Sequence, residues 1–233
     1  MKHLRIESLI IALGLVCAGA FIYFGIEAFG ERSRTVEVRG FSERIVDADK
    51  ATWPIRCKLR SDDVADIYNQ AKSATDKIKT YLVNNGIDAK DITTSAPKVT
   101  DYRMQDWKPE NVSSRYVADV TVTVSTKQVK RVHDLTYSVS DLMKQGIYVV
   151  SNEYGGDVTY EYTSLEKIKP EMIEASTKNA REAAEKFAKD SGSKLGKIKR
   201  ATQGFFSIEN RDEQTPWMKK VRVVTSVEYF LKN

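Results

Sequence analysis

The sequence predicts an α+β fold in which an antiparallel sheet packs with three main helices, carried behind an N-terminal membrane-spanning helix. Three observations lead there: a 22-residue apolar run at 8–29, several strands whose apolar residues alternate, and three longer segments with helical periodicity that each stop at a glycine.

The apolar run, SLIIALGLVCAGAFIYFGIEAF, carries one charge, Glu27, near its far end. At about 1.5 Å per residue it forms a helix of roughly 33 Å, enough for a hydrocarbon core about 30 Å thick. A cleaved secretory signal is the rival reading, because Ala18-Gly19-Ala20 follows a basic start. The apolar character continues through FIYFGI beyond that point, where a cleavage region turns polar, so the expectation is an uncleaved anchor. Val16 ahead of Cys17 argues against lipidation. Residues 1–7 then form a short cytoplasmic N-terminus, 30–34 a linker and 35–233 the folded domain. Lys2 and Arg5 precede the span and Arg32, Arg34, Arg39 and Arg44 follow it, so charge alone does not choose an orientation.

Residues 35–233 hold +4 of the net charge of +5, spread over a charge-rich surface, which excludes the concentrated basic face of a nucleic-acid binder. Cys17 lies in the span and Cys57 in the domain, so they do not pair with each other; Cys57 reads as a small buried apolar side chain.

In ATWPIRCKLR, Ala51, Trp53, Ile55, Cys57 and Leu59 share one face, and Pro54 suggests an edge position or a bulge. YVADVTVTV places Tyr116, Ala118, Val120, Val122 and Val124 together; VRVVTSVEYFL does the same with Val221, Val223, Val227, Tyr229 and Leu231. The first helix opens at Asp62-Asp63, lines up Val64, Ile67, Ala71, Ile78 and Leu82, and stops at Gly86. The second runs through Val129, Val132, Leu135, Val139 and Leu142 to Gly146. The third starts near Pro170, buries Ile173, Ala180, Ala184 and Phe187, pairs Glu182 with Lys186 and Glu185 with Lys189, and ends at Gly192.

Gly192-Ser-Lys-Leu-Gly196-Lys approaches a phosphate-binding loop, but three residues separate its glycines, Ile198 stands where a magnesium-holding hydroxyl belongs, and a helix precedes it while a strand follows. No nucleotide is expected. Gly192 is the helix stop and Gly196 loosens the turn into KIKRATQGFF. The passage LVNNG into IDAKDITTSAPKV has the same helix-glycine-strand form, a weak internal duplication.

Catalytic chemistry finds little support. His133, the domain's one histidine, sits at the edge of an apolar stripe with no assignable carboxylate, and one His and one Cys lack zinc-ligand spacing. The 32 acidic residues guarantee close pairs but single out none. No catalytic residue, cofactor or metal is expected. Candidate interaction residues are the Arg56, Lys58, Arg60 row, with Glu37 as a possible cross-strand partner; Tyr160 and Tyr162, with Tyr154 nearby; and Trp107 and Trp217 in polar loops beside Pro109 and Pro216.

V-E-V-R-G at 36–40, D-A-D-K-A at 47–51, N-N-G-I at 84–87, D-I-T-T-S at 91–95, the 116–124 strand and A-E-K-F-A-K-D-S-G-S-K-L-G-K-I at 184–198 together resemble the SIMPL domain proteins of bacterial envelopes in order and spacing. Ser42 and Ala48 depart from that pattern, where members carry a glycine-like turn residue and a proline. The resemblance implies an extracytoplasmic domain, self-association or an envelope protein partner, and a poorly defined biochemical role. The expected function is a membrane-anchored, non-enzymatic protein acting by assembly or partner binding. A carboxylate-dependent envelope enzyme and a cytoplasmic-facing, lipid-proximal regulator are the alternatives.

Overall fold

The computed structural model describes residues 12–25, 34–105, 114–150 and 158–232. Residues 12–25 form an exposed helix, α1. Among the described residues no helix is long and apolar enough to cross a membrane. Helix α1 is the described part of the expected 8–29 span, and the remaining residues of that span lie outside those described.

Beyond α1 the chain is α+β, with antiparallel strand pairings, in two compact units. One unit gathers residues up to Arg44, Glu166–Ile208 and Lys220–Asn233; the other holds Ile45–Leu165 and Glu209–Lys219.

The second unit is built on β2 (Lys50–Ser61) and β5 (Tyr116–Thr126), paired from Ala51↔Thr126 to Ser61↔Tyr116. Short strands β3 (Ile92–Thr94) and β4 (Lys98–Asp101) flank β5, and β6 (Thr159–Glu161) flanks β2. Alternation works as expected: Ala51, Trp53, Ile55 and Cys57 are buried, as are Val120, Val122 and Val124, while Leu59 is half-buried. Helix α2 (Val64–Asn84) lays Ile67, Ala71, Ala74, Ile78, Tyr81 and Leu82 on this core. It begins at Asp63, whose carboxylate accepts from the backbone N–H of Ala65 and Asp66. Val64, expected inside, lies in the first turn and is exposed.

The expected second helix is two: α3 (Val129–Tyr137) and α4 (Ser140–Lys144), separated at Ser138-Val139. At the break the Ser138 carbonyl accepts from Asp141 N–H in the first turn of α4 and also from the Tyr81 hydroxyl of α2. Pro54 stands where the outer side of β2 is locally a sheet edge, as expected. Val150 N–H donates to the Arg56 carbonyl, so the backbone groups of residues 54 and 56 face away from β5, and β6 reaches only residues 50–52. The donor Pro54 lacks is one no described strand needs.

The first unit orders its strands β1 (Thr35–Asp47), β9 (Met218–Lys232), β7 (Lys194–Gln203), and β8 (Ser207–Asn210) also pairs β9. Both β1 and β9 continue past the boundary into the other unit. Helix α5 (Leu165–Asp190) packs here through Met172, Ser176, Ala180, Ala184 and Ala188, a seam repeating every fourth residue. It starts five residues before Pro170, which lies inside it. Asp49 explains the early start: its carboxylate accepts from Thr163 N–H at 2.7 Å, Thr163 Oγ1 at 2.9 Å and Ser164 N–H at 2.9 Å, organising the chain just ahead of Leu165. Ile173 is half-buried and Phe187, expected inside, is exposed, because the buried seam runs one position away. Glu185 pairs backward with Arg181 at 2.9 Å rather than with Lys189.

The narrow seam admits Gly40 of β1. A Cβ there would stand 2.1 Å from Ser176 O, 2.3 Å from Ala180 N and 2.7 Å from Ala180 Cβ, so only glycine lets strand and helix meet. Ser176 Oγ and Thr225 Oγ1, both buried, share a hydrogen bond of 2.7 Å in the same contact. Gly196 lies within β7 rather than in a turn before it, with the Phe230 carbonyl 2.7 Å from where its Cβ would be.

The duplication has a topological counterpart. Each unit runs long strand, helix, shorter strand, long strand, and each sheet orders them first, last, middle: β1-β9-β7 with α5, and β2-β5-β3 with α2.

Candidate functional site

Three residues from separate parts of the second unit meet around one indole. Trp217 comes from the 211–217 loop, His133 from α3 and Tyr160 from β6. The His133 and Trp217 ring centroids are 4.0 Å apart at a 43° tilt; Tyr160 meets Trp217 edge-on at 6.4 Å; Tyr137 meets His133 edge-on at 5.2 Å. The two edge-on pairs have the geometry in which aromatic rings attract beyond their burial, and His133 lies in close tilted contact with the indole.

The loop is held by local chemistry. Asp212 accepts from Thr215 N–H at 2.8 Å, Thr215 Oγ1 at 2.6 Å and Arg211 Nε at 2.6 Å. The Thr215 hydroxyl, then Arg211, hold the Asp212 carboxyl down at about 2. Arg211 N–H donates to the Met218 carbonyl, and Met218 N–H to that of Thr215, closing the turn. Ala48 N–H donates to the Trp217 carbonyl at 2.8 Å, tying the loop to the segment before β2. Behind it Lys219 is buried and donates to Asn210 Oδ1. Burial lowers its ammonium below the ordinary lysine range, against an opposing pull from Glu161.

On one side of Trp217 lies a cleft of about 1160 Å³, lined by Lys127, Lys130 and Arg131 at the start of α3, by Asp47 and Asp134, and by His133. Arg131 Nη1 donates to the Asn85 carbonyl at 3.2 Å. Its guanidinium lies over Gly86, whose φ of 83° ends α2. The cleft therefore offers an aromatic wall, cationic side chains and scattered carboxylates, the composition of a contact surface. Among the described residues His133 meets the rings of Trp217 and Tyr137, and no carboxylate hydrogen-bonds to it.

Of the residues expected to interact, Trp217 and Tyr160 come together, with Tyr160 buried as sheet packing. Tyr162 lies past the end of β6, half-buried. Lys58 meets its cross-strand neighbour Asp119 at 3.7 Å, not Glu37, which belongs to the β1 sheet. Lys58 and Arg60 line a separate hollow of about 400 Å³ with Gln70 and Tyr148, and Arg56 is half-buried on β2. Trp107 and Tyr154 lie outside the described residues. Cys57 is buried, and burial, then Asp119, pushes its thiol up to about 11. Sequence reasoning missed Lys127, Lys130 and Arg131, which read as ordinary solvated charges. It also missed Asp212, although Asp-x-x-Thr in a loop is a side-chain-to-backbone signature.

A family profile named SIMPL, described as a protein of unknown function (DUF541), matches residues 36–228. The chain belongs to the SIMPL family. The match runs from the start of β1 into β9, so the SIMPL region takes in both compact units and the whole Trp217 cleft. No curated protein matches the chain.

Proposed function

We propose that this SIMPL protein is a membrane-anchored, extracytoplasmic protein that works by binding a partner in the cell envelope, or further copies of itself, and not by transforming a substrate. The observation that carries the reading is the Trp217 cleft: an indole wall braced by His133 and Tyr160, with Lys127, Lys130 and Arg131 at its margin. Aromatic and arginine side chains supply most of the energy where proteins meet, and cations at the margin speed and select the encounter. The loop carrying Trp217 is fixed in advance by Asp212, which lowers the ordering cost on binding. The apolar run at 8–29 supports the anchor, and the family resemblance supports the outward orientation.

Two measurements on the full-length protein test this. A topology reporter fused after Asn233 is expected to be active only outside the cytoplasm; cytoplasmic activity overturns the orientation. Chemical crosslinking in intact cells is expected to give a discrete adduct that Trp217→Ala removes without lowering protein level. An adduct indifferent to Trp217→Ala overturns the cleft as the contact.

A further inference from the structure

Strand β7 departs from the others in a way the cleft does not use. It ends the β1-β9-β7 sheet, no described strand lies beyond it, and every residue from 197 to 203 is exposed. Its straight portion pairs with β9 from Arg200↔Glu228 to Gln203↔Thr225. Gly204 N–H donates to the Val224 carbonyl, so in the antiparallel alternation residues 200 and 202 bond to β9 while residues 201 and 203 direct N–H and C=O outward. Ala201 and Gln203 share a face with Val227 and Thr225, which are buried, yet are exposed themselves; the strand extends beyond the cover that buries its neighbour.

The charge on the strand itself is one-sided, with Lys199 paired to Glu228 of β9 at 2.9 Å. Lys194, Lys197, Lys199 and Arg200 occur within ten residues that include no acid, and the exposed Ile198 and the fully exposed Phe205 bracket the straight portion. Lysines on an edge strand hinder pairing with an identical strand, because a second β7 laid antiparallel across this stretch brings its basic run 197–200 against the same run of the copy. The same charges favour an extended segment of opposite sign.

We propose that the outer edge of β7 accepts an acidic, extended peptide segment of a partner protein as an added strand. Main-chain bonds to residues 201 and 203 hold it, and Lys197 and Arg200 select its charge. This stands apart from the Trp217 cleft, since its residues belong to the other compact unit.

The test titrates the full-length protein, in detergent, into a fluorescein-labelled peptide Thr-Glu-Val-Glu-Val-Glu-Thr and reads anisotropy. Its lysine counterpart and a version N-methylated along one edge are run beside it. Saturable binding of the acidic peptide is expected, weakening as salt rises. The lysine and N-methylated peptides are expected to bind at least about tenfold more weakly. Ala201→Pro removes an outward donor while leaving the β9 ladder intact, and is expected to weaken binding by about tenfold with an unchanged melting temperature. Arg200→Glu is expected to do so without altering the backbone. Equal binding of the acidic and lysine peptides, or full affinity after both N-methylation and Arg200→Glu, overturns the proposal. So does a finding that Ala201→Pro changes only the subunit number, which assigns the edge to a second copy.

Discussion

Replacing Gly40 by alanine adds one carbon where the first unit has no room for it. That carbon would lie 2.1 Å from the Ser176 carbonyl oxygen, whereas carbon–oxygen contact requires about 3.3 Å, so about 1.2 Å must open between β1 and α5. The obstruction is backbone, Ser176 O and Ala180 N, and no side-chain rotation relieves it. A gap of about 1 Å forfeits up to about half of each dispersion contact across the seam of Ala180, Ala184 and Ala188. It also strains the buried bond between Ser176 and Thr225. With overpacking alone at about 1–3 kcal/mol, a loss near 3 kcal/mol follows, or a melting temperature lower by about 6–12 °C for a chain of this size. Thermal unfolding of the full-length protein followed by far-ultraviolet circular dichroism measures it. Adding Ala180→Gly removes only the 2.7 Å contact and is expected to recover less than half. Melting of Gly40→Ala within about 1 °C of the parent would refute the reasoning.

Other consequences follow from individual contacts. Asp49→Ala leaves Thr163 and Ser164 without their acceptor and is expected to cost about 1 kcal/mol in urea unfolding, by analogy with helix caps. Burial alone would raise the Asp49 carboxyl, but the hydrogen bonds of Ser164 and Thr163 bring it below the ordinary value. Its stabilisation is therefore complete above the unfolded value and fades as pH falls through the lower folded one; equal acid sensitivity of parent and Asp49→Asn would contradict this. Asp212→Ala frees the Trp217 loop, and in fluorotryptophan NMR the Trp217 resonance is expected to shift and broaden. In the parent that resonance is expected to hold as acid is added and move only as pH nears 2, where Asp212 protonates. Cys57 is expected to resist thiol reagents at pH 8 until denaturant is added; labelling at the same rate with and without denaturant would contradict its burial.

Alternation and helical period sufficed where a segment buries one face against a sheet. All of the alternate positions expected in β9 are buried, as are Ile67, Ala71, Ile78 and Leu82 of α2. The same logic failed where a distant residue sets the boundary. Pro170 reads as a helix start until Asp49, more than a hundred residues earlier, is seen ordering Thr163 and Ser164. The 128–146 segment reads as one helix because nothing local reveals that the Tyr81 hydroxyl, from a distant helix, meets the Ser138 carbonyl at the break. Glycines at 192 and 196 look alike in sequence, yet one has φ of 69° at a helix end and the other lies flat against the Phe230 carbonyl. The insertion of Ile45–Leu165 into the other unit leaves no compositional trace, because the chain crosses at its two ends within β1 and at the start of α5 rather than through polar linkers. For the site, Trp217 was legible as a loop aromatic. Its company was not, since His133 and Tyr160 reach it only through strand pairing and the turn at Asp212.

The most direct measurement places a photo-crosslinking residue at position 130 on the cleft wall, and separately at exposed position 72 on α2, in the full-length protein in living cells. Illumination is expected to give one discrete adduct from position 130, lost on Trp217→Ala, and none from position 72. No adduct from position 130 in a correctly located protein, or equal adducts from both positions, would contradict a cleft that binds.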